Sequence, residues 1–135
     1  QQSPSMEEIK LTEKIDPAHS LYAIYLKLEK DANIQIGKLG TYSFKQGIYI
    51  YVGSAKRNIE ARIKRHKKIN KPLRWHFDYL RPHGNIIKII TYENTIGECG
   101  LAEKLRKKHN GSFPVRGFGA SDCRCFSHLI YVRDL

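Results

Sequence analysis

The chain has 135 residues, 41% of them hydrophobic, and its 24 Lys and Arg residues against 13 Asp and Glu residues give a net charge of +11. These figures fit one folded domain and exclude a disordered chain, and no apolar run approaches the ~20 residues that a membrane-spanning helix needs. We therefore expect a cytoplasmic protein with no signal peptide and no membrane partner, whose positive charge binds a polyanion, nucleic acid first.

Residues 1–19 are polar and contain two prolines, so they predict an N-terminal leader that packs loosely, if at all. A single domain is expected over residues 20–135. Within it, runs of aromatic and β-branched residues bounded by turn residues predict strands. The first four predicted strands, in chain order, are residues 21–29, 34–36, 41–44 and 47–52.

Helices and strands alternate in the second half of the chain. Asn58 can cap a helix that runs to Ile69 and stops before Pro72. The remaining predicted elements are a short helix at 73–80, a strand at 86–92, a helix at 96–109, a loop at 117–122 and a strand at 128–132. This order predicts an α+β domain with a small, largely antiparallel central sheet flanked by helices.

The positive charge is concentrated in one stretch. Between Lys56 and Arg74, nine basic side chains face one acid, Glu60, and a second basic cluster spans residues 104–108. A patch of this kind neutralises phosphates and releases their counterions, whereas a merely solubilising surface would interleave the signs. We predict that the side chains binding nucleic acid, with DNA favoured over RNA, are Lys56, Arg57, Lys64, Arg65, Lys67, Lys68 and Arg74. Helical spacing makes Arg65 a candidate for the solvated face.

Two residues of this basic helix, Arg62 and His66, are four positions apart and share one face. That spacing suits a phosphate-binding guanidinium beside a proton carrier, although an ordinary solvated basic helix would show it too. The helix follows a strand that ends in Tyr51-Val52-Gly53. There Gly53 either lets the backbone approach a phosphate closely or simply ends the strand.

This strand, turn and helix resemble the GIY-YIG nuclease superfamily, and more closely one of its branches, the domain of unknown function 123. The branch pattern is matched, in order, by residues 47–55, 65–66, 75–80, 98–99 and 118–123. The resemblance implies the fold of that superfamily and a metal-dependent DNA endonuclease of repair or recombination. Because some relatives are fused to DNA-repair enzymes, it also implies such an enzyme as a partner.

The two tyrosine motifs of the superfamily occupy neighbouring strands. The string Gly47-Ile48-Tyr49 spells the first motif, but it lies on the same strand as Tyr51. The better counterpart of the first tyrosine is therefore Tyr22, on the strand at 21–29, where Ser20 replaces the glycine of the family.

Site roles are also implied by the resemblance. Tyr22 and Tyr51 would position or activate the attacking water, Arg62 would hold the phosphate, and His66 would carry a proton. A glutamate of the later helix would bind one Mg²⁺ or Mn²⁺ ion. Glu98 is favoured as this ligand over Glu103, because the branch motif is Glu-Cys.

Five other residues are expected to surround the reacting groups and support the site. They are Gly53, His76, Asp78, Asp122 and His128. His76 and Asp78 either form a hydrogen-bonded pair or face opposite ways. Trp75 either packs in the core or stacks on an unpaired base.

Three cysteines leave a further alternative. Cys123, Cys125 and His128 read C-x-C-x-x-H, and Cys99 would complete a Cys₃His zinc site. The C-x-C spacing is tighter than in standard zinc fingers, so we favour reduced thiols and no zinc. Besides the nuclease, two other functions remain open: a non-catalytic nucleic-acid-binding module on the same fold, and a zinc-stabilised interaction domain.

Overall fold

The computed structural model describes residues 11–120 and 125–134. Its strands are β1 (Thr12–Lys14), β2 (Leu21–Leu28), β3 (Ala32–Ile36), β4 (Gly40–Phe44), β5 (Gly47–Ser54), β6 (Asn85–Tyr92) and β7 (Leu129–Val132). Its α-helices are α1 (Ile59–Lys67), α2 (His76–Leu80) and α3 (Gly97–Lys108), with short 3₁₀ turns at Gly37–Leu39 and Arg81–His83.

The predicted α+β class is confirmed. Five strands form one sheet in the order β1-β6-β2-β5-β7, and β3 and β4 form a separate hairpin. Within the large sheet β1 runs parallel to β6, and the other neighbouring pairs are antiparallel. The sheet is therefore mixed but largely antiparallel, with three helices flanking it.

Both faces of this sheet are covered, which explains why β2 is apolar along nearly its whole length. Successive side chains of a strand point to opposite faces. Tyr22 and Ile24 pack in a core with α1 and α2, whereas Ala23 and Tyr25 pack in a second core with α3. A strand buried on both sides cannot show polar and apolar alternation.

Thr12–Lys14, inside the predicted leader, form an edge strand. They pair in parallel with Lys88–Ile90 of β6, and their side chains remain exposed. Main-chain hydrogen bonds hold such a strand whatever its side chains are, so the polar sequence gave no sign of it. Among the described residues, no helix is long and apolar enough to cross a membrane.

All three helices are shorter than predicted, α3 by one residue at each end. Helix α1 ends at Lys67 rather than Ile69, because Lys68 is extended. The ammonium of Lys71 donates to the carbonyl oxygens of the last turn, 2.8 Å from that of Arg65 and 3.0 Å from that of His66. Helix α2 begins at residue 76 rather than 73, where a buried carboxylate caps it.

The pairing of β2 with β5 places the two predicted tyrosines together. Tyr22, near the start of β2, lies opposite Gly53, near the end of β5. Tyr22 and Tyr51 are thus on neighbouring strands, with ring centroids 6.5 Å apart. Helix α1 follows β5 closely in the chain and brings its side chains over the same corner of the sheet.

Candidate active site

A cleft of about 310 Å³ lies between the end of β5, helix α1 and the first turn of α3. Its walls are formed by Tyr22, Tyr51, Gly53, Ser54, Arg62, Arg74, Trp75, His76, Glu98, Gly119 and His128. The structure thus brings together the predicted Tyr22, Tyr51, Arg62 and Glu98. His66 lies directly behind Tyr22, outside the walls but in contact with them.

The Tyr22 hydroxyl and His66 Nε2 are 2.8 Å apart, in a buried hydrogen bond between β2 and α1. Burial and the positive charge of Lys71 lower the pKa of His66 to about 3. His66 is therefore neutral at physiological pH. A base with so low a pKa accepts a proton only weakly, and the role of proton carrier that the resemblance implies stays a prediction.

The other ring nitrogen of His66, Nδ1, is buried and has no hydrogen-bond partner among the described residues. An orphaned buried N–H is rarer than an orphaned acceptor. The favoured tautomer therefore carries its proton on Nε2 and donates it to the Tyr22 oxygen. In that arrangement the phenolic proton of Tyr22 is free to point away from His66.

Tyr22 reaches the cleft because the residue opposite it is glycine. A Cβ atom added at Gly53 would lie 2.5 Å from the Tyr22 hydroxyl oxygen, so any side chain there would displace the phenol. The group that approaches Gly53 closely is thus the Tyr22 ring, and the approach of a phosphate there stays a prediction. Burial raises the pKa of Tyr22 above its ordinary value, although the neighbouring Arg62 opposes this.

Aromatic contacts hold Tyr51. Its ring stacks on Phe77 with a centroid distance of 4.9 Å and meets Phe118 edge-on at 6.1 Å. Burial raises the pKa of Tyr51 well above its ordinary value, and the neighbouring Tyr22 adds to this. Tyr51 is therefore a protonated phenol at neutral pH, fixed in the floor of the cleft.

Arg62 is held in the cleft rather than left free in solvent, and its side chain hydrogen-bonds Tyr22. Its Nη1 donates to the carbonyl oxygen of Ser54 at 3.0 Å, and its guanidinium lies 4.7 Å from the ring centroid of Trp75. On the same indole, Arg65 lies at 4.4 Å. Trp75 is half-buried between the two cations, so it is neither a core residue nor a free stacking platform.

Glu98 lies in the first turn of α3 and lines the cleft. Its Oε2 accepts a hydrogen bond of 2.6 Å from the Ser54 hydroxyl. Glu103 does not line the cleft, since its carboxylate pairs with Arg106 and Lys107. Of the two predicted alternatives, only Glu98 is placed where it could bind a metal ion beside Arg62.

His76 and Asp78 face opposite ways. His76 lines the cleft, and its Nδ1 accepts the Gly119 N–H at 2.7 Å, which places the proton of the neutral ring on Nε2. Burial lowers the pKa of His76, which favours that neutral form. His76 is therefore a hydrogen-bond donor available to the cleft.

Asp78 is fully buried outside the cleft walls. Its oxygens accept two 3.2 Å hydrogen bonds from Arg65 and the backbone N–H groups of Arg74 and Trp75, and the Lys71 ammonium lies 3.4 Å away. The placement of Arg65 on a solvated face is wrong, because its side chain is only 24% exposed and bound to Asp78. The partner lies 13 residues away in the chain, beyond the reach of helical spacing.

Replacing Asp78 should destabilise the fold strongly. In Asp78→Ala the ammonium of Lys71, only 4% exposed, loses its counter-charge, and we expect a loss of about 3–5 kcal/mol in the free energy of unfolding, measured by urea denaturation. Burial alone would raise the pKa of Asp78, but the hydrogen bonds of Trp75, Arg65 and Arg74 and the charge of Lys71 lower it.

The pH dependence follows from that lowered pKa. The stabilisation by Asp78 should be complete above its pKa in the unfolded chain, about 3.9, and should disappear as the pH falls through its lower pKa in the folded state.

Glu103→Gln, at an exposed ion pair, is the matched control for Asp78→Ala and should leave the midpoint of urea denaturation nearly unchanged. Equal midpoints for the two variants would show that Asp78 does not stabilise the fold.

Five of the predicted nucleic-acid-binding side chains are exposed to solvent: Lys56, Arg57, Lys64, Lys68 and Arg74. Lys67 instead pairs with Glu13 of β1. Lys71 is buried at the end of α1. The available positive surface is therefore smaller than the sequence suggested, but it borders the cleft through Arg74.

The remaining predicted residues fall near the first turn of α3. Cys99 is joined to Cys125 by a disulfide, so the expectation of reduced thiols is wrong for this pair. His128 is buried, lines the cleft and lies 3.9 Å from Glu98 between Nδ1 and Oε1. Asp122 and Cys123 lie outside the described residues.

Sequence reasoning missed two contributors to the cleft. The hydroxyl of Ser54 orients Glu98, and the backbone N–H of Gly119 orients His76. Ser54 directly follows Gly53 in a matched block. A hydroxyl at the end of a strand was the signal that could have identified it. Gly119, with a φ of +69°, lies in the matched block 118–123, but its contact with His76 is made by the backbone and not by a side chain.

A family model described as "Domain of unknown function DUF123" matches residues 21–135. That range includes every residue that lines the cleft. No curated protein and no solved structure matches the chain.

Proposed function

The chain belongs to the DUF123 family, and from the geometry of its cleft we propose that it is a divalent-metal-dependent endonuclease that hydrolyses phosphodiester bonds in DNA during repair or recombination. The observation that carries the proposal is the convergence of Arg62, Glu98 and the Tyr22–His66 pair on one cleft. The proposal extends to membership in the GIY-YIG superfamily, whose two tyrosines, arginine and glutamate these residues would represent.

Binding of the substrate would depend on the exposed cations and on Arg62. The exposed side chains Lys56, Lys64 and Lys68 would contact backbone phosphates and release counterions. Arg62 would meet the phosphate that reacts, because its guanidinium is held in the cleft by Ser54 and Trp75. A guanidinium fixed in this way needs little reorganisation as negative charge develops.

Glu98 fits a hard divalent ion. It offers carboxylate oxygens to a cleft of about 310 Å³. Mg²⁺ is commonly bound by one or two carboxylates together with water and substrate phosphate. A bound Mg²⁺ or Mn²⁺ would supply Lewis acidity to the phosphodiester. Ser54 would fix the carboxylate by donating to its Oε2.

The phenol of Tyr22 would position the attacking water. Because His66 is neutral and donates to the Tyr22 oxygen, the phenol's own proton would be left for a group in the cleft. His66 is thus a positioning residue. His76, with its proton on Nε2, would donate to a phosphate or leaving oxygen.

A plasmid nicking assay tests the proposal. The wild type should nick supercoiled DNA with Mg²⁺ or Mn²⁺ and stop when EDTA is added. Arg62→Ala should lower the rate by about 10²–10³-fold, and Arg62→Lys should restore little, because an ammonium lacks the planar fork. Lys64→Ala, on the same helix and exposed, is the matched control and should weaken binding only slightly.

A non-catalytic nucleic-acid-binding module is the second candidate, favoured by the exposed cations beside the cleft. It would bind DNA with an affinity that falls steeply with salt. No cleavage would appear with any divalent ion, and Arg62→Ala and Lys64→Ala would then weaken binding to a similar degree. That set of results would replace the nuclease proposal.

A further inference from the structure

We infer that Cys99, Cys125 and His128 form a binding site for Zn²⁺ when the two cysteines are reduced. The three side chains come from the first turn of α3 and from the segment leading into β7. One ligand atom from each lies within 4.8 Å of the other two. This zinc site adjoins the Mg²⁺ or Mn²⁺ site proposed at Glu98 but shares no ligand with it.

The distance between Cys99 and His128 fits tetrahedral zinc. Cys99 Sγ and His128 Nε2 are 3.6 Å apart. With Zn–S about 2.3 Å and Zn–N about 2.0–2.1 Å, tetrahedral geometry separates a sulfur from a nitrogen ligand by about 3.5–3.6 Å. The imidazole is therefore already placed as a ligand to an ion that also binds Cys99.

His128 is also oriented as metal-binding histidines usually are. Such a histidine donates its second ring N–H to a carboxylate or a backbone carbonyl. A hydrogen bond links the His128 ring to the backbone of Gly119, while Nδ1 lies 3.9 Å from Glu98 Oε1, beyond hydrogen-bond distance. With its proton on Nδ1, the ring presents the Nε2 lone pair towards Cys99.

The disulfide and the zinc site are two states of one pair. Reduction adds two electrons and two protons to the Cys99–Cys125 bond and gives two thiols, while a dithiol reductant is oxidised to its own disulfide. Zinc then displaces both thiol protons, and two thiolates cancel its charge. The sulfurs would move to about 3.8 Å apart around the ion. Oxidation leaves no thiolate to bind zinc.

Measuring the zinc content of the protein tests the inference directly and needs no DNA substrate. Protein reduced with a phosphine, loaded with one equivalent of Zn²⁺ and dialysed should retain about one zinc per chain by mass spectrometry, and diamide-oxidised protein should retain none. Cys99→Ser, Cys125→Ser and His128→Ala should each weaken binding more than about 100-fold. His76→Ala, a histidine of the same cleft outside the cluster, should keep its zinc.

Two further measurements separate the inference from other failures. Glu98→Gln should keep zinc even where nicking is lost, so a failed nuclease proposal leaves the zinc result standing. If the cysteine variants do not fold, as judged by circular dichroism, Co²⁺ titration of the reduced wild type decides, because thiolate ligation gives a sulfur-to-cobalt charge-transfer band. Absence of that band, or zinc retained by all three folded ligand variants, would overturn the inference.

Discussion

Glu98→Gln should abolish nicking while leaving DNA binding intact. The substitution keeps the size of the side chain and a possible bond with Ser54, but removes the negative charge that a hard divalent ion needs. We expect the nicking rate to fall by about 10³-fold or more at saturating DNA. Rates are measured by single-turnover nicking, and affinity by fluorescence anisotropy with Ca²⁺ in place of Mg²⁺.

Glu103→Gln is the control for this substitution. Glu103 lies five residues further along α3, and its carboxylate pairs with Arg106 outside the cleft. It should nick at close to the wild-type rate. If both glutamine variants nicked equally well, Glu98 would not be the metal ligand, and the metal-dependent mechanism would lose its support in this cleft.

The same cleft shows which parts of a site can be anticipated from sequence. The spacing of Arg62 and His66 alone predicts that they share a helix face, whereas the placement of Tyr22 beside Tyr51 rests on the resemblance, whose two tyrosine motifs occupy neighbouring strands. Each of these relations is local or follows from one strand pairing. The placement of Glu98 in the same cleft, 36 residues after Arg62 in the chain, was predicted from the resemblance rather than from spacing.

Contacts made through tertiary packing were beyond the sequence. Arg65 has the spacing of a solvated residue, yet Asp78 from the next helix binds it, and the same carboxylate caps α2. The edge strand β1 was missed because its pairing uses main-chain groups. The bond between Cys99 and Cys125 depends on how α3 meets the segment before β7, and the sequence offered their proximity only as the zinc-site alternative.

Only part of the positive charge of the basic stretch is exposed to solvent in the folded chain. Arg65, Lys67 and Lys71 belong to the basic stretch, but each is bound to an acidic side chain of the protein. Arg65 and Lys71 hold the buried carboxylate of Asp78, and Lys67 links α1 to β1. The cations left exposed lie on the outer side of α1 and in its flanking loops. The basic residues thus form two groups: those paired with acidic side chains of the protein, and those exposed to solvent, which would bind DNA.

Tyr22→Phe should lower the nicking rate by about 10²–10⁴-fold, the range for loss of one group that handles a proton or positions water. Phenylalanine keeps the ring opposite Gly53 and removes only the hydroxyl that meets His66. Binding of DNA should therefore be unchanged, so the loss should appear in the single-turnover rate and not in the affinity. Tyr49→Phe, remote from the cleft walls, should behave like the wild type.

The pH profile then distinguishes a positioning role of His66 from proton transfer. Its pKa of about 3, lowered by burial and by Lys71, keeps His66 neutral at every pH above about 5. The wild-type rate should thus show no inflection from His66 between about pH 5 and pH 8. His66→Gln, whose amide can still donate to Tyr22, should retain more activity than His66→Leu. An inflection near pH 6.5 that disappears in His66→Gln would mean that His66 carries the proton after all, because only a titrating imidazole could produce it.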